Sequence, residues 1–127
     1  MVVLYAEDDP EDIEVFCEAI RAIDSKIVCQ TVTDGINLFA FLENTIVLPD
    51  LIFLDMNMPL MNGRDCLIRL KNSKDYQSIP VVMYTTSTRA VDRDELKRLG
   101  ASDYFIKPST FSEIYELLRD VLKKRKN

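Results

Sequence analysis

The stretch that decides the fold is Leu51-Ile52-Phe53-Leu54-Asp55, in which four successive apolar residues lead directly into an aspartate. A run that is apolar at every position is typical of a central parallel strand, because crossover helices cover such a strand on both faces. In open α/β sheets the ligand crevice lies beyond the carboxyl ends of the strands. The stretch therefore predicts a buried central strand with a functional residue, Asp55, at its end.

Four further apolar runs extend this pattern in both directions along the chain, and segments with helical periodicity separate them. We expect strands at Val2–Ala6, Ile27–Val32, Leu51–Leu54, Val81–Thr85 and Tyr104–Ile106, and helices from Pro10 (after the N-cap residue Asp9) and over Gly35–Glu43, Gly63–Asn72, Ala90–Leu99 and Thr110–Lys124. This alternation predicts an α/β fold, a doubly wound (βα)5 sheet of five parallel strands. The fourth helix, whose apolar stripe is Val91, Leu96 and Leu99, is expected to be the most easily displaced.

Length and composition indicate one globular domain, since 127 residues with 47% hydrophobic and 29% charged residues can bury a full core. The net charge of -5 disfavours binding to nucleic acid or to anionic membranes. A basic cluster, Lys123–Lys126, lies in the expected last turn of the final helix, where cations offset the helix dipole. No apolar run is long enough for a membrane span or a signal peptide, so a cytoplasmic protein is expected.

The residue types that are absent also restrict the chemistry. The chain has no histidine, which excludes the commonest general base and every Ser-His-Asp or Cys-His arrangement. Its three cysteines, Cys17, Cys29 and Cys66, include no CxxC pair that would hold a metal, and we expect reduced thiols in the core. Any reaction must therefore depend on carboxylates, lysine and hydroxyl groups.

Such groups follow four of the five expected strands. They are Glu7-Asp8-Asp9, Asp55, Thr85-Thr86-Ser87 and Lys107-Pro108. Carboxylates that lie close together repel unless a cation sits among them, and Mg²⁺ suits a few carboxylate oxygens beside a phosphate. An aspartate beside such an ion can attack phosphorus to give an acyl phosphate, while a lysine and a hydroxyl neutralise the phosphoryl oxygens. Asp55, Lys107 and Thr85 are the candidates for those roles.

Each of these residues also has a simple structural explanation when it is taken alone. Asp8 and Asp9 could cap a helix, Lys107 could be a surface charge, and Thr85 could be an ordinary strand residue. The convergence of all of them on one edge of the sheet favours the functional interpretation.

The same residues resemble the signature of a known family. The matching positions are Glu7-Asp8, Leu54-Asp55-Met56-Asn57-Met58-Pro59, Gly63, Thr85 and Lys107-Pro108. Over essentially the whole chain they resemble the receiver domain of two-component response regulators, of the single-domain, chemotaxis-receiver-like kind. The stretch 67–78 resembles receivers that partner sensor kinases such as bacterial phytochromes. The resemblance implies a flavodoxin-like fold and one receiver domain over residues 1–127 with no output domain.

The resemblance implies that Asp55 accepts a phosphoryl group with Mg²⁺ as the cofactor. Asp8 and Asp55 would bind the metal directly, Asn57 through its backbone carbonyl, and Glu7 through a water molecule. Asp9 would cap the first helix and bind no metal. The protein would then be a switch that phosphorylates and dephosphorylates itself without being an enzyme in the ordinary sense.

Further residues acquire roles from the same resemblance. Lys107 and Thr85 would contact the phosphoryl group, and Thr85 with Tyr104 on the fifth strand would form the switch pair. Pro59 and Gly63 would shape the loop after the phosphorylated strand, with the glycine at a point where the backbone must turn freely. The first acid is Glu7 in place of the commoner Asp, and the bulk of Thr86 could narrow phosphate access. Two other positions, Asn57 and Ser87, influence the rate of acyl-phosphate hydrolysis in this family.

The implied partners are a sensor histidine kinase or phosphotransfer protein and a downstream protein target, and the resemblance also allows a homodimer through helix 4, strand 5 and helix 5. One alternative is a receiver-like scaffold that acts without phosphorylation. A second is an aspartyl-phosphate phosphatase of the haloacid dehalogenase type, but those enzymes carry the nucleophile on the first strand and a second Asp two residues later, where this chain has Asn57. A third is a flavodoxin-like flavin carrier, whose phosphate three adjacent acids would repel.

Overall fold

The computed structural model describes residues 1–125, apart from the side chains of Ala90 and Val91. The strands are β1 Val2–Ala6, β2 Val28–Val32, β3 Leu51–Leu54, β4 Val81–Thr85 and β5 Asp103–Ile106, and the helices are α1 Pro10–Ile23, α2 Gly35–Asn44, α3 Gly63–Lys71, α4 Ala90–Arg98 and α5 Phe111–Arg125. The predicted order is confirmed, and no predicted boundary differs from the observed one by more than one residue.

The five strands form one parallel sheet in the order β2-β1-β3-β4-β5. From β1 the chain crosses to β2 on one side and then to β3 on the other side, so the strand order reverses between β1 and β3. The ends of these two strands therefore border the crevice in which open α/β sheets bind ligands. This topology confirms the predicted (βα)5 fold.

The sheet separates two apolar layers. All four residues of β3 are buried, and they alternate between the layers: Ile52 and Leu54 pack in one, Leu51 and Phe53 in the other. The first layer contains residues of α2, α3 and α4, and the second contains residues of α1 and α5. Burial on both faces is the reason that β3 is apolar at every position.

Side chains cap the N-termini of several helices near the carboxyl edge of the sheet. The Asp9 carboxylate accepts hydrogen bonds from the backbone N–H groups of Glu11 at 2.9 Å and Asp12 at 3.4 Å, which confirms Asp9 as the N-cap of α1. Helix α4 differs, because within the described part of the chain its N-cap residue, Arg89, makes no side-chain cap bond. Only Leu96 is buried among its described side chains, which agrees with the predicted thin stripe.

Two predictions fall partly outside the described residues. Lys123, Lys124 and Arg125 do lie in the last turn of α5, but Lys126 of the same basic cluster lies beyond the described range. The side chain of Val91, assigned to the apolar stripe of α4, is likewise outside the described residues. Over residues 1–125, no helix combines the length and the apolar character that a membrane span requires.

The three cysteines are free, as expected, but only Cys66 is buried. Cys17 on α1 and Cys29 on β2 are partly exposed, so the prediction of core thiols was wrong for these two. Their sulfur atoms lie 3.5 Å apart because α1 packs on the edge strand β2. Burial, reinforced by the neighbouring Cys17, raises the pKa of Cys29, and burial raises the pKa of Cys66 to about 12, so these two groups are thiols at neutral pH.

Gly63 is required for a different reason from the one predicted. Its φ is not in the left-handed region, which among the described glycines only Gly100 occupies. Instead, a Cβ atom at position 63 would lie 2.1 Å from the carbonyl oxygen of Asp55. The start of α3 therefore lies directly against the end of β3, and the left-handed residue of the loop is Leu60, with φ 69°.

Replacing Gly63 with Ala is expected to lower the free energy of unfolding by about 3 kcal/mol, because the added methyl group meets backbone that cannot rotate away. Urea denaturation measures the change. The control is Arg64→Ala at the next position, which removes an exposed ion pair with Glu95 and is expected to cost less than about 1 kcal/mol. Equal stability of the Gly63→Ala variant and the parent would show that α3 can shift away from β3.

Candidate functional site

Four strand ends bring polar residues together at one edge of the sheet. Oxygen atoms of Glu7, Asp8 and Asp55 all lie within 4.8 Å of one another. Lys107 follows β5 and reaches the same group, while Thr85 ends β4 next to it. Glu7, Asp55 and Thr85 are buried, whereas Asp8 is exposed. The convergence that the sequence predicted is therefore present.

Glu7 is the most firmly anchored of the three acids. Its Oε1 accepts hydrogen bonds from the Tyr5 hydroxyl at 3.2 Å and from Lys107, and its Oε2 accepts from the backbone N–H groups of Asp8 at 3.0 Å and Asp9 at 3.2 Å. Burial raises the pKa of Glu7, and the hydrogen bond from Lys107 opposes that rise. Both oxygens are thus committed to groups of the protein itself.

The Lys107 ammonium lies among three carboxylates. It forms ion pairs with Glu7 Oε1, with Asp12 Oδ2 at 2.9 Å and with Asp55 Oδ1 at 3.7 Å. Burial lowers the pKa of Lys107, but the hydrogen bonds that it donates to Glu7 and Asp12 raise this pKa above the ordinary value of lysine. The side chain is therefore a cation at neutral pH, although only 9% of it is exposed.

Asp12 is a site residue that the sequence analysis missed. It lies in the first turn of α1, where acidic residues are common because they favour the positive end of the helix dipole. The sequence therefore contained no signal that separated Asp12 from an ordinary helix-terminal acid. Only the packing of α1 beside the end of β5 brings its carboxylate to Lys107.

Asp55 has a side-chain oxygen that lacks a hydrogen-bond partner in the described part of the chain. Its Oδ1 is buried and has no hydrogen-bond partner among the residues that the structure describes. The nearest cation, Lys107 Nζ, is 3.7 Å away, beyond hydrogen-bonding distance. A buried acceptor without a partner costs free energy, so this oxygen favours a cationic or electrophilic ligand. The donor set, three oxygen-bearing acids, is the kind that hard divalent ions bind.

Thr85 and Tyr104 meet at the loop between β4 and α4. The Thr85 hydroxyl oxygen accepts a hydrogen bond from the Ser87 N–H at 3.4 Å, and the Tyr104 hydroxyl donates one to the Ser87 carbonyl at 2.9 Å. The Ser87 hydroxyl in turn donates to Asp92 in the first turn of α4 at 2.9 Å. The loop is thus connected to the site through Thr85, to β5 through Tyr104, and to α4 through Asp92.

An open cleft of about 490 Å³ lies over the cluster. Its walls are formed by Glu7, Asp8, Asp9, Pro10, Asp12, Asp55, Asn57, Thr86 and Lys107. Asn57 and Thr86 both line the cleft and are exposed. The volume and the mixed charges of this cleft suit a small anionic group together with a cation.

Comparisons with known proteins agree with this geometry. The family model for the response regulator receiver domain matches residues 3–119. Response regulator Rcp1 of Synechocystis sp. is 30% identical over 128 aligned positions, which cover 94% of this chain and 85% of Rcp1. The transcriptional regulatory protein BaeR of Escherichia coli is 27% identical, and this chain spans 49% of its length.

Solved structures show the same fold. The phosphorylated cyanobacterial phytochrome response regulator RcpA is 28% identical with a TM-score of 0.89, and the match covers 96% of this chain and 91% of RcpA. The Mn²⁺-bound form of Rcp1 is 27% identical with a TM-score of 0.85, covering 94% of this chain and 90% of that structure.

Replacing Asp55 with Asn is expected to raise the free energy of unfolding by about 1 kcal/mol in a buffer that contains a metal chelator, because the acidic cluster then loses one buried negative charge whose Oδ1 has no hydrogen bond among the described residues. Urea denaturation at neutral pH measures the difference. Asp75→Asn removes an exposed acid far from this edge and is expected to change the value by less than about 0.5 kcal/mol. A less stable Asp55→Asn variant would show that attraction to Lys107 outweighs repulsion within the cluster.

Proposed function

The chain belongs to the receiver domains of response regulators, which act in two-component signalling, and we propose that it is a phosphoryl-accepting switch in which Asp55 is the acceptor. The phosphoryl group would come from a phosphohistidine of a sensor histidine kinase or phosphotransfer protein. The observation that carries the proposal is the buried Oδ1 of Asp55, which has no hydrogen-bond partner among the described residues and lies beside a cleft with Lys107.

The proposed reaction is an in-line transfer at phosphorus. A lone pair of the Asp55 carboxylate forms the new P–O bond while the P–N bond to the histidine ring breaks, and the ring nitrogen keeps the electron pair. The ammonium of Lys107 is close enough to neutralise charge on the phosphoryl oxygens. The Thr85 hydroxyl, which uses an acceptor lone pair for Ser87, keeps its proton for a bond to the same group.

The acidic cluster fits a divalent cation, for which we propose Mg²⁺. Asp8 and Asp55 would be direct ligands, together with the backbone carbonyl of Asn57. Glu7 would act through water, in agreement with the hydrogen bonds that already occupy both of its oxygens. When bound, the ion supplies positive charge for the phosphoryl oxygens. Among the described residues that line the cleft, Lys107 supplies the positive charge of the chain itself.

We propose Thr85 and Tyr104 as the switch pair. A move of the Thr85 hydroxyl toward a phosphoryl group would break its contact with Ser87, whose carbonyl also holds Tyr104. The same loop contacts Asp92 of α4, the helix with the thinnest apolar stripe. The surface of α4, β5 and α5 would then change for a downstream protein or for a second copy of the chain.

A sensor kinase of the phytochrome type is the proposed upstream partner. The support is the resemblance of stretch 67–78 and the name of a similar structure, the phosphorylated phytochrome response regulator RcpA. From this domain, the signal would pass on through a protein contact or through onward transfer of the phosphoryl group.

Incubation with acetyl phosphate and Mg²⁺ is expected to add one phosphoryl group to the parent chain, and intact-mass spectrometry with peptide mapping locates it at Asp55. Asp55→Asn should remain unlabelled because an amide cannot act as the nucleophile. The matched control, Asp75→Asn, should be labelled like the parent. Labelling that persists in Asp55→Asn would refute the acceptor assignment, whereas a parent that neither labels nor binds beryllofluoride would favour a phosphorylation-independent scaffold.

Adding Mg²⁺ is expected to raise the thermal unfolding midpoint of the parent, since an ion that binds only the folded state stabilises it by about 1.4 kcal/mol at a tenfold excess over its Kd. Asp8→Asn should lose most of this gain because it removes a direct ligand. Asp75→Asn should keep all of it. If Asp8→Asn gains as much as the parent, the metal binds elsewhere or without Asp8.

A further inference from the structure

Asp12 competes with Asp55 for the ammonium of Lys107. The distance from Nζ is 2.9 Å to Asp12 Oδ2 but 3.7 Å to Asp55 Oδ1, so Lys107 makes a hydrogen bond with the first and only a longer ion pair with the second. Asp55 Oδ1 consequently remains without a hydrogen bond among the described residues. The position of the ammonium is therefore biased toward α1 and away from the proposed acceptor.

The other neighbours of Lys107 hold it in place without opposing this bias. Glu7 binds the ammonium from the end of β1 and is itself fixed by Tyr5 and by two backbone N–H groups. The ring of Tyr84 lies 5.9 Å from Nζ. Asp12 is the one of the three carboxylates that is substantially exposed, with 40% of its side chain accessible. It is thus the contact that Lys107 can give up most readily.

We propose that Asp12 is a positioning residue that draws Lys107 away from Asp55 in the unphosphorylated protein and thereby lowers the affinity of the site for a phosphoryl group. This inference rests on the proposed function of Asp55. A phosphoryl group on Asp55 brings additional negative charge to the cluster and attracts the ammonium. Lys107 must then lengthen its contact with Asp12, and the Asp12 carboxylate also repels the incoming anion.

The chain contains a matched control for this effect. Glu11 precedes Asp12 in the first turn of α1, carries the same charge and is exposed. Within the described residues it makes neither a hydrogen bond nor an ion pair with Lys107. Glu11→Gln and Asp12→Asn therefore remove the same charge from the same helical turn, but only the second releases Lys107.

The test measures binding of beryllofluoride, a mimic of the phosphoryl group, to the full chain in the presence of Mg²⁺. Tyrosine fluorescence reports it, since the chain has 5 tyrosines and no tryptophan. Asp12→Asn is expected to bind about two- to fivefold more tightly than the parent, the range for a partly exposed ion pair. Asp12→Glu, which restores a carboxylate, should return the affinity toward that of the parent.

Affinity for Mg²⁺ in the absence of beryllofluoride separates a positioning effect on Lys107 from the effect of removing one negative charge. Both Asp12→Asn and Glu11→Gln should lower Mg²⁺ affinity, because each removes one negative charge. Asp12→Asn should lower it at least as much as the other variant, since it also frees Lys107 to move toward Asp55. Only Asp12→Asn should then show the additional gain with beryllofluoride. Equal beryllofluoride affinities of the two variants, or weaker binding by Asp12→Asn, would overturn the positioning role.

The outcome also distinguishes this inference from the proposed function. A parent chain that fails to bind beryllofluoride with Mg²⁺ present refutes the phosphoryl-acceptor function, and the inference with it. A parent that binds, together with an Asp12→Asn variant that binds no more tightly, refutes the role of Asp12 alone and leaves Asp55 as the acceptor.

Discussion

The buried ion pair between Lys107 and Glu7 is the interaction on which the site depends. It joins the ends of β5 and β1, which are separated in the sheet by β3 and β4 and lie 100 residues apart in the chain. Removing Lys107 would leave the buried Glu7 carboxylate without its cation, which costs several kcal/mol, about 3–5 in measured cases. The pair therefore places a cation beside Asp55 and makes the end of β5 part of the same site as the end of β1.

This edge of the sheet holds more negative charge than Lys107 can balance. Among the described residues, Glu7, Asp8, Asp12 and Asp55 all border the cleft together with the ammonium of Lys107. A site with excess like charge raises the free energy of the ligand-free state, and a bound cation recovers that free energy. The apolar layers on both faces of β3 supply the stability that allows this arrangement to persist. The affinity of the cluster for a cation and its cost to the fold thus have the same electrostatic origin.

Much of this structure could be predicted from the sequence because strong local signals agreed with one another. The apolar run Leu51–Leu54 indicated a central strand, and Asp9-Pro10 indicated the start of α1. The convergence of strand-end residues followed from the topology of a parallel sheet alone. What failed were properties that depend on how elements pack against each other. The close packing of the α3 start against the backbone of Asp55, which leaves no room for a Cβ atom at Gly63, and the contact of Cys17 with Cys29 leave no trace in local patterns.

Asp12 was missed for the same reason. Its interpretation as an ordinary helix-terminal acid is correct, but the local sequence does not reveal that it also pairs with Lys107. The connection from the site to the surface of α4 runs through one short loop. Thr85, which would meet the phosphoryl group, is two residues from Ser87, and Ser87 contacts both Tyr104 and Asp92. Coupling needs an element with two arrangements that both sites bias, and the proposed switch assigns those two arrangements to the loop that contains Ser87. Because Leu96 is the one buried side chain among those of α4 that the structure describes, a change at Ser87 would disturb few buried contacts among them. Closely paired charges lie at one end of this loop and α4 lies at the other, so the proposed change of charge at Asp55 would reach the surface of α4 over a short distance.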